Sequence, residues 1–158
     1  MKFSAQEEYG LRCLLQLGMQ GDGGSLTIAE LSHHEGISVA NVAKMMRVMR
    51  RAGFVTSTRG KDGGYTLARP AREMPISEIL NALGGRLYEA DFCERHAGLE
   101  QVCAHETGCS IRSLWQRLQL AVDQVVRHLT LADLLGGKPP AFPFPPPRSR
   151  AIKLPTVN

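Results

Sequence analysis

The stretch from Thr27 to Ala68 constrains this chain more than any other. Thr27, with Glu30 three residues on, has the pattern of a capping box. It opens a short helix, Ile28 to His34, that stops at Gly36. Ser38 then caps a longer helix, Val39 to Ala52, which ends at Gly53. Val42, Met45, Met46 and Met49 form one apolar stripe, and Asn41, Lys44, Arg47, Arg50 and Arg51 fall largely off it. Two helices joined by a tight turn, the second with a polar and basic outer side, have the pattern of a helix-turn-helix. Phe54–Thr58 and Tyr65–Ala68 read as a strand and its return. Between them lies Arg59-Gly60-Lys61-Asp62-Gly63-Gly64, whose glycines permit a protruding tip. A hairpin placed directly after a recognition helix is a wing.

Charge follows the same boundary. Gly36 to Arg69 carries seven basic side chains against Asp62 alone, while the remaining residues hold twelve basic and fourteen acidic ones. The net charge of +4 is therefore one patch on a slightly acidic protein. Such a patch suits a polyanion, because neutralising phosphates releases counterions. The bland reading is a solvated helix face. Ser38, Ala40, Asn41 and Lys44 occupy the part of the recognition helix that faces base edges, with Asn41 suited to adenine and Lys44 to guanine. Arg47 lies later and suits phosphate. Arg59 and Lys61 at the wing tip suit a narrow minor groove or neighbouring phosphates.

Around this unit the pattern stays mostly helical. Ala5 to Met19 has apolar residues at helical spacing, with Ser4 and Glu7 as a capping box. Ile76 to Leu83 reads as a short helix ended by Gly84-Gly85, and residues 86–110 as a loop. Ser110 to Leu135 reads as a long helix with a break near Thr130. Its Ile111, Trp115, Leu118, Val122, Val125 and Leu129 alternate spacings of four and three, a heptad-like seam that suits a second copy of the chain. Packing within its own chain is the alternative. The proline-rich stretch after Gly137 excludes regular structure. The predicted fold is mainly α with a small β wing. A winged helix-turn-helix DNA-binding domain (1–70) is followed by a connector helix and cysteine-rich loop (71–110), a dimerisation helix (111–135) and a tail (136–158).

The loop holds Cys93, Cys103 and Cys109 in a C-x9-C-x5-C pattern among polar residues, which is wrong for core packing and right for ligands. Cys13, between Arg12 and a leucine pair, reads instead as a small core hydrophobe. Thiolates suit iron bridged by sulfide. They also suit zinc, with His105 as a fourth ligand, or a metal-free disulfide switch. No C-x-x-C pair, P-loop, dinucleotide fingerprint or nucleophile elbow appears, so no enzyme is predicted. No apolar run is long enough to span a membrane. Glu7 and Glu8 interrupt the region where an export signal needs its apolar run. The expected location is the cytoplasm.

The run from Gly36 to Arg69, with its arginine–glycine and Gly63-Gly64-Tyr65 in the wing, resembles the Rrf-type winged-helix regulators. Tyr9-Gly10-Leu11-Arg12, Ile76-Ser77-Glu78-Ile79 and Leu129-Thr130-Leu131-Ala132-Asp133-Leu134 are similar to the family too, and the resemblance covers residues 1 to about 135. It implies a homodimer on a palindromic double-stranded operator, and in many members an iron–sulfur cluster held by a three-cysteine loop. By that resemblance Cys93, Cys103 and Cys109 are metal ligands, although the first gap is longer than usual. One branch takes its fourth ligand three residues after the last cysteine. That position here is Arg112, which cannot ligate. Another branch uses a carboxylate of the partner's first helix, which corresponds to Glu8, with His105 as the alternative. The implied cofactor is a 4Fe–4S cluster ahead of a 2Fe–2S one. The implied function is a transcriptional regulator, a repressor rather than an activator, whose operator affinity follows iron, nitric oxide or redox state. A zinc-stabilised or thiol-switch DNA-binding protein without a cluster is the alternative, and an interaction adaptor on the same scaffold is a third reading.

Overall fold

A computed structural model describes residues 4–21, 23–58, 63–97, 103, 105 and 108–136. The wing-tip residues Arg59 and Lys61 and the proline-rich stretch from 137 lie outside the described residues.

Helix α1 spans Ala5–Met19 and begins at the Ser4/Glu7 capping box. Helix α2, Ile28–Glu35, begins at the Thr27/Glu30 box. It ends at Gly36, whose φ of 63° lies in the left-handed region that a Cβ disfavours. Helix α3, Val39–Arg51, starts at Ser38, whose hydroxyl accepts from the Asn41 amide. Strands β1 (Val55–Ser57) and β2 (Tyr65–Leu67) pair antiparallel, Val55 opposite Leu67 and Ser57 opposite Tyr65. Leu26, just before α2, adds an antiparallel bridge to Tyr65 and anchors the wing to the helix-turn-helix. Two helices, a turn and a hairpin in this order make a winged helix.

Past a 3₁₀ turn at Ala71–Glu73, helix α4 spans Ile76–Leu83. The core runs through both regions. Leu14, Leu17, Leu31, Val42, Met46 and Met49 are buried together with Met74, Ile79, Leu83 and Leu131. Each such side chain contributes about 1.5–3 kcal/mol by leaving water. Gly10 lets α1 approach α4 closely, since a Cβ there would collide with the Leu83 side chain. The Gln6 side-chain amide also donates to the Leu83 carbonyl.

Two expectations change. The stretch 86–110 is not all loop, because Phe92–Arg95 forms a short helix, α5, that carries Cys93. The long helix is two helices, α6 (Ser110–Val126) and α7 (Leu131–Leu135). Backbone pairing explains the break. Ile76 donates to the Leu129 carbonyl at 2.8 Å and Leu131 to the Met74 carbonyl at 2.9 Å, so residues 129–131 lie extended beside 74–76. Thr130 then opens α7 through a capping box with Asp133. Burial of Leu131 stabilises this return, and α7 packs on α1 where Leu135 approaches Gly18.

Candidate functional site

Two surfaces carry chemistry. The first is the outer side of α3. Its methionine stripe turns inward, so Ser38, Ala40, Asn41, Lys44, Arg47, Arg50 and Arg51 are all exposed. Arg50 Nη1 reaches the Ser57 hydroxyl at 3.4 Å and ties the end of α3 to β1. The helix is held from behind by α1 and α2. Arg12 Nε donates to the Glu35 carboxylate at 2.5 Å, Arg12 Nη2 to the Glu35 carbonyl, and Gln16 to the other carboxylate oxygen. That cluster locks the last turn of α2 against α1 and so sets the angle at which α3 is presented.

The second surface lies at the other end, where the cysteine-rich segment meets α6. Cys93, Cys103 and Cys109 are free thiols of intermediate exposure. Cys109 is the N-cap of α6 and its sulfur accepts from the Arg112 amide at 3.4 Å. Cys93 Sγ lies 3.8 Å from the Tyr88 hydroxyl. The Arg112 guanidinium sits beside Cys93, and its interaction with that sulfur is the main cause of its raised pKa. The Tyr88 phenol is pushed up as well, first by its hydrogen bond with Cys93. Cys93 and Cys109 therefore share one neighbourhood, that of Tyr88 and Arg112. Cys103 makes no hydrogen bond with them, and among the described residues no three His, Cys, Asp or Glu side chains stand together as a metal-ligand set. His105 and Glu8 are exposed. Cys13 is fully buried, and desolvation pushes its thiol up to about 11.

A polar clamp ties this segment to α6. Gln119, only 6% exposed, accepts from the Tyr88 amide at 3.1 Å and donates to Asp123 Oδ1 at 2.8 Å. Asp123 Oδ2 in turn accepts from Arg86 at 2.5 Å. Sequence reasoning missed Tyr88, Arg86, Gln119 and Asp123. A glutamine next to Leu118 on an apolar helix face was the available signal.

The seam on α6 stands open. Ile111 is 56% exposed, Leu114 50% and Trp115 39%. Leu118, Val122 and Val125 are half-buried and line a groove of about 360 Å³ against Leu80 of α4 and Leu87. Leu129 lies beyond the end of α6 and packs on the core of its own chain. Among the described residues no helix is long and apolar enough to cross a membrane.

A model of the Rrf2 family, described as an iron-dependent transcriptional regulator, matches residues 3–137. The chain belongs to the Rrf2 family. Protein rrf2 of Nitratidesulfovibrio vulgaris is 33% identical over 135 residues, which is 85% of this chain and 87% of that protein. The solved structure of CymR, the global cysteine regulator of B. subtilis, matches with a TM-score of 0.70 at 25% identity, covering 88% of this chain and 99% of that one. T. potens IscR matches with a TM-score of 0.67 at 26% identity, covering 87% and 88%. The protein is thus an Rrf2-family transcriptional regulator, not an enzyme, and regulators of this family bind DNA.

Proposed function

We propose that this Rrf2-family protein is a homodimeric repressor whose operator affinity follows the state of an iron–sulfur centre held by Cys93, Cys103 and Cys109. The observation that carries this reading is the set of three free, partly exposed thiols in one polar segment of an Rrf2-family chain. Cys93 and Cys109 offer soft sulfur donors in one neighbourhood, while among the described residues no three ligand side chains stand together. The three thiols supply the ligand chemistry, and Glu8 of the partner subunit, or His105, completes the set. A 4Fe–4S cluster is favoured over a 2Fe–2S one. When bound, the group supplies an iron whose redox state or loss reports on the cell.

The protein's own residues perform the rest. The exposed α6 face around Ile111, Leu114 and Trp115, with the half-buried Leu118, Val122 and Val125, takes the same face of a second copy. Pairing presents two α3 helices to successive major grooves of a palindromic duplex. Asn41 and Lys44 read base edges there, Ser38 and Ala40 approach the groove, and Arg47 meets phosphate. Arg59 and Lys61, on the wing, reach the flanking backbone. The Tyr88–Gln119–Asp123–Arg86 clamp carries any movement of the cysteine segment into α6, and α6 sets the separation of the recognition helices. The domain division at 70, 110 and 135 belongs to this proposal. The core nevertheless crosses residue 70, so the DNA-reading unit and the connector move as one packed body.

The test combines metal analysis with DNA binding. A palindromic duplex is selected from a random pool with anaerobically isolated protein. Iron, sulfide and electron paramagnetic resonance are then compared between wild type and the triple variant Cys93→Ala, Cys103→Ala, Cys109→Ala. Iron and sulfide in the wild type alone, with operator occupancy that no longer responds to cluster loss in the variant, support the reading. Identical metal content and occupancy overturn it. A second reading, a metal-free thiol switch, draws on the lack of a three-residue ligand set among the described residues and on the likeness to CymR. Stoichiometric disulfide formation without bound iron identifies it.

A further inference from the structure

Glu35 stands in a place that ordinary helix physics disfavours. It is the last residue of α2, where the helix dipole presents its negative end to the carboxylate. Its side chain is only 10% exposed, so the charge has also given up most of its water. Arg12 and Gln16 of α1 compensate. Arg12 Nε donates to one carboxylate oxygen and Gln16 to the other, each at 2.5 Å, while Arg12 Nη2 donates to the Glu35 main-chain carbonyl. That carbonyl is one of the orphan acceptors of the helix end. A single guanidinium thus holds both the side chain and the backbone of the residue at which the turn begins.

The turn leads straight into the DNA-reading helix. Gly36 takes the left-handed conformation, the Ser32 hydroxyl donates to the Ile37 carbonyl at 2.6 Å, and Ser38 caps α3. From Gly36 to Arg69 the sole acid is Asp62, so Glu35 is the acid that borders this basic stretch. Its ion pair with Arg12 draws the charge towards α1 and neutralises it.

We propose that Arg12 is a positioning residue for operator binding, which fixes the turn ahead of α3 and keeps the Glu35 carboxylate from repelling the DNA backbone. The inference rests on the reading of α3 as the helix that enters the major groove, and on nothing in the cysteine segment. Without Arg12 the carboxylate keeps one donor, Gln16, and loses its cation. An unpaired buried charge is costly, so the side chain turns out to water and a negative charge appears beside the start of α3. Two effects then weaken binding: a repulsion of phosphate that salt screens, and a loosened turn that blurs the register of α3 on the duplex.

The experiment uses the full-length protein and the duplex that wild type selects from a random pool. Fluorescence anisotropy gives the affinity at low and at high salt, and circular dichroism establishes the fold. The variants are Arg12→Leu, Arg12→Lys, Glu35→Gln, the double variant Arg12→Leu with Glu35→Gln, and Arg127→Leu. Arg127 is an exposed arginine at the end of α6 and reports on net charge alone. Arg12→Leu is expected to weaken binding about tenfold at low salt and by less at high salt. Adding Glu35→Gln to it is expected to recover about threefold of that loss, a rescue that a merely structural role for Arg12 does not give. Arg12→Lys, which keeps the charge but cannot hold carboxylate and carbonyl together, falls between Arg12→Leu and wild type. Glu35→Gln alone and Arg127→Leu stay within about threefold of wild type. Wild-type affinity in Arg12→Leu, a double variant that binds no better than Arg12→Leu, or an equal loss in Arg127→Leu overturns the inference while leaving DNA reading by α3 intact. If Arg12→Leu does not fold, Arg12→Lys decides, and wild-type affinity there overturns the inference. A wild-type protein that selects no duplex overturns the reading of α3 and this inference with it.

Discussion

Cys13 offers a quantitative check on the core. Its side chain is wholly inaccessible, and desolvation lifts its thiol from the ordinary 9.0 to about 11. A folded-state pKa above the unfolded value means that the contribution to stability is complete below pH 9. It is lost as pH rises towards 11. At pH 8 both states keep the proton. At pH 10 the unfolded thiol is mostly ionised and the folded one mostly protonated. The ratio of the two binding polynomials is then about tenfold, on the order of 1 kcal/mol. Urea unfolding at pH 8 and pH 10, at one fixed protein concentration, is run on wild type and Cys13→Ala. The alanine removes packing at both pH values, so that cost cancels in the difference. Wild type is expected to lose about 1 kcal/mol more than the variant between the two conditions. Equal losses, within the roughly 0.3–0.5 kcal/mol to which such differences add, refute the argument that this thiol is desolvated in the native core.

Gln119→Leu leaves the Tyr88 amide without its acceptor and frees Asp123 from one donor. It is expected to cost about 1–3 kcal/mol in urea unfolding and to speed amide hydrogen exchange at Tyr88. An unchanged exchange rate at Tyr88 contradicts the clamp. Leu114→Glu with Trp115→Glu places two charges on the open α6 face. Sedimentation is expected to show monomer where wild type shows dimer, with the circular dichroism spectrum retained. A monomeric wild type, or a dimeric variant, rules out this face as the contact.

The local elements were legible because their signals are local. The capping boxes at Ser4 and Thr27, the left-handed Gly36 and the methionine stripe of α3 act within one or two helical turns, and the structure shows each of them. The spacing of Leu129 suggested one uninterrupted seam, but spacing cannot register a backbone bridge to residues more than fifty positions earlier. That bridge ended α6 at Val126 and returned Leu131 to the core.

The candidate site divides the same way. Three cysteines in a polar loop marked the segment, and the residue types alone said that soft anionic ligands were available. Sequence order could not say that Arg112 and Tyr88 would flank Cys93, or that Gln119 would be buried under the loop. Those facts depend on where α6 lies against α4 and the chain that precedes α5. The sequence by itself determined the helix starts and stops and the basic outer face of α3, because caps, turns and periodicity are short-range. Only the tertiary structure decided which polar groups lost water without gaining a partner, because desolvation depends on every element packed around a group.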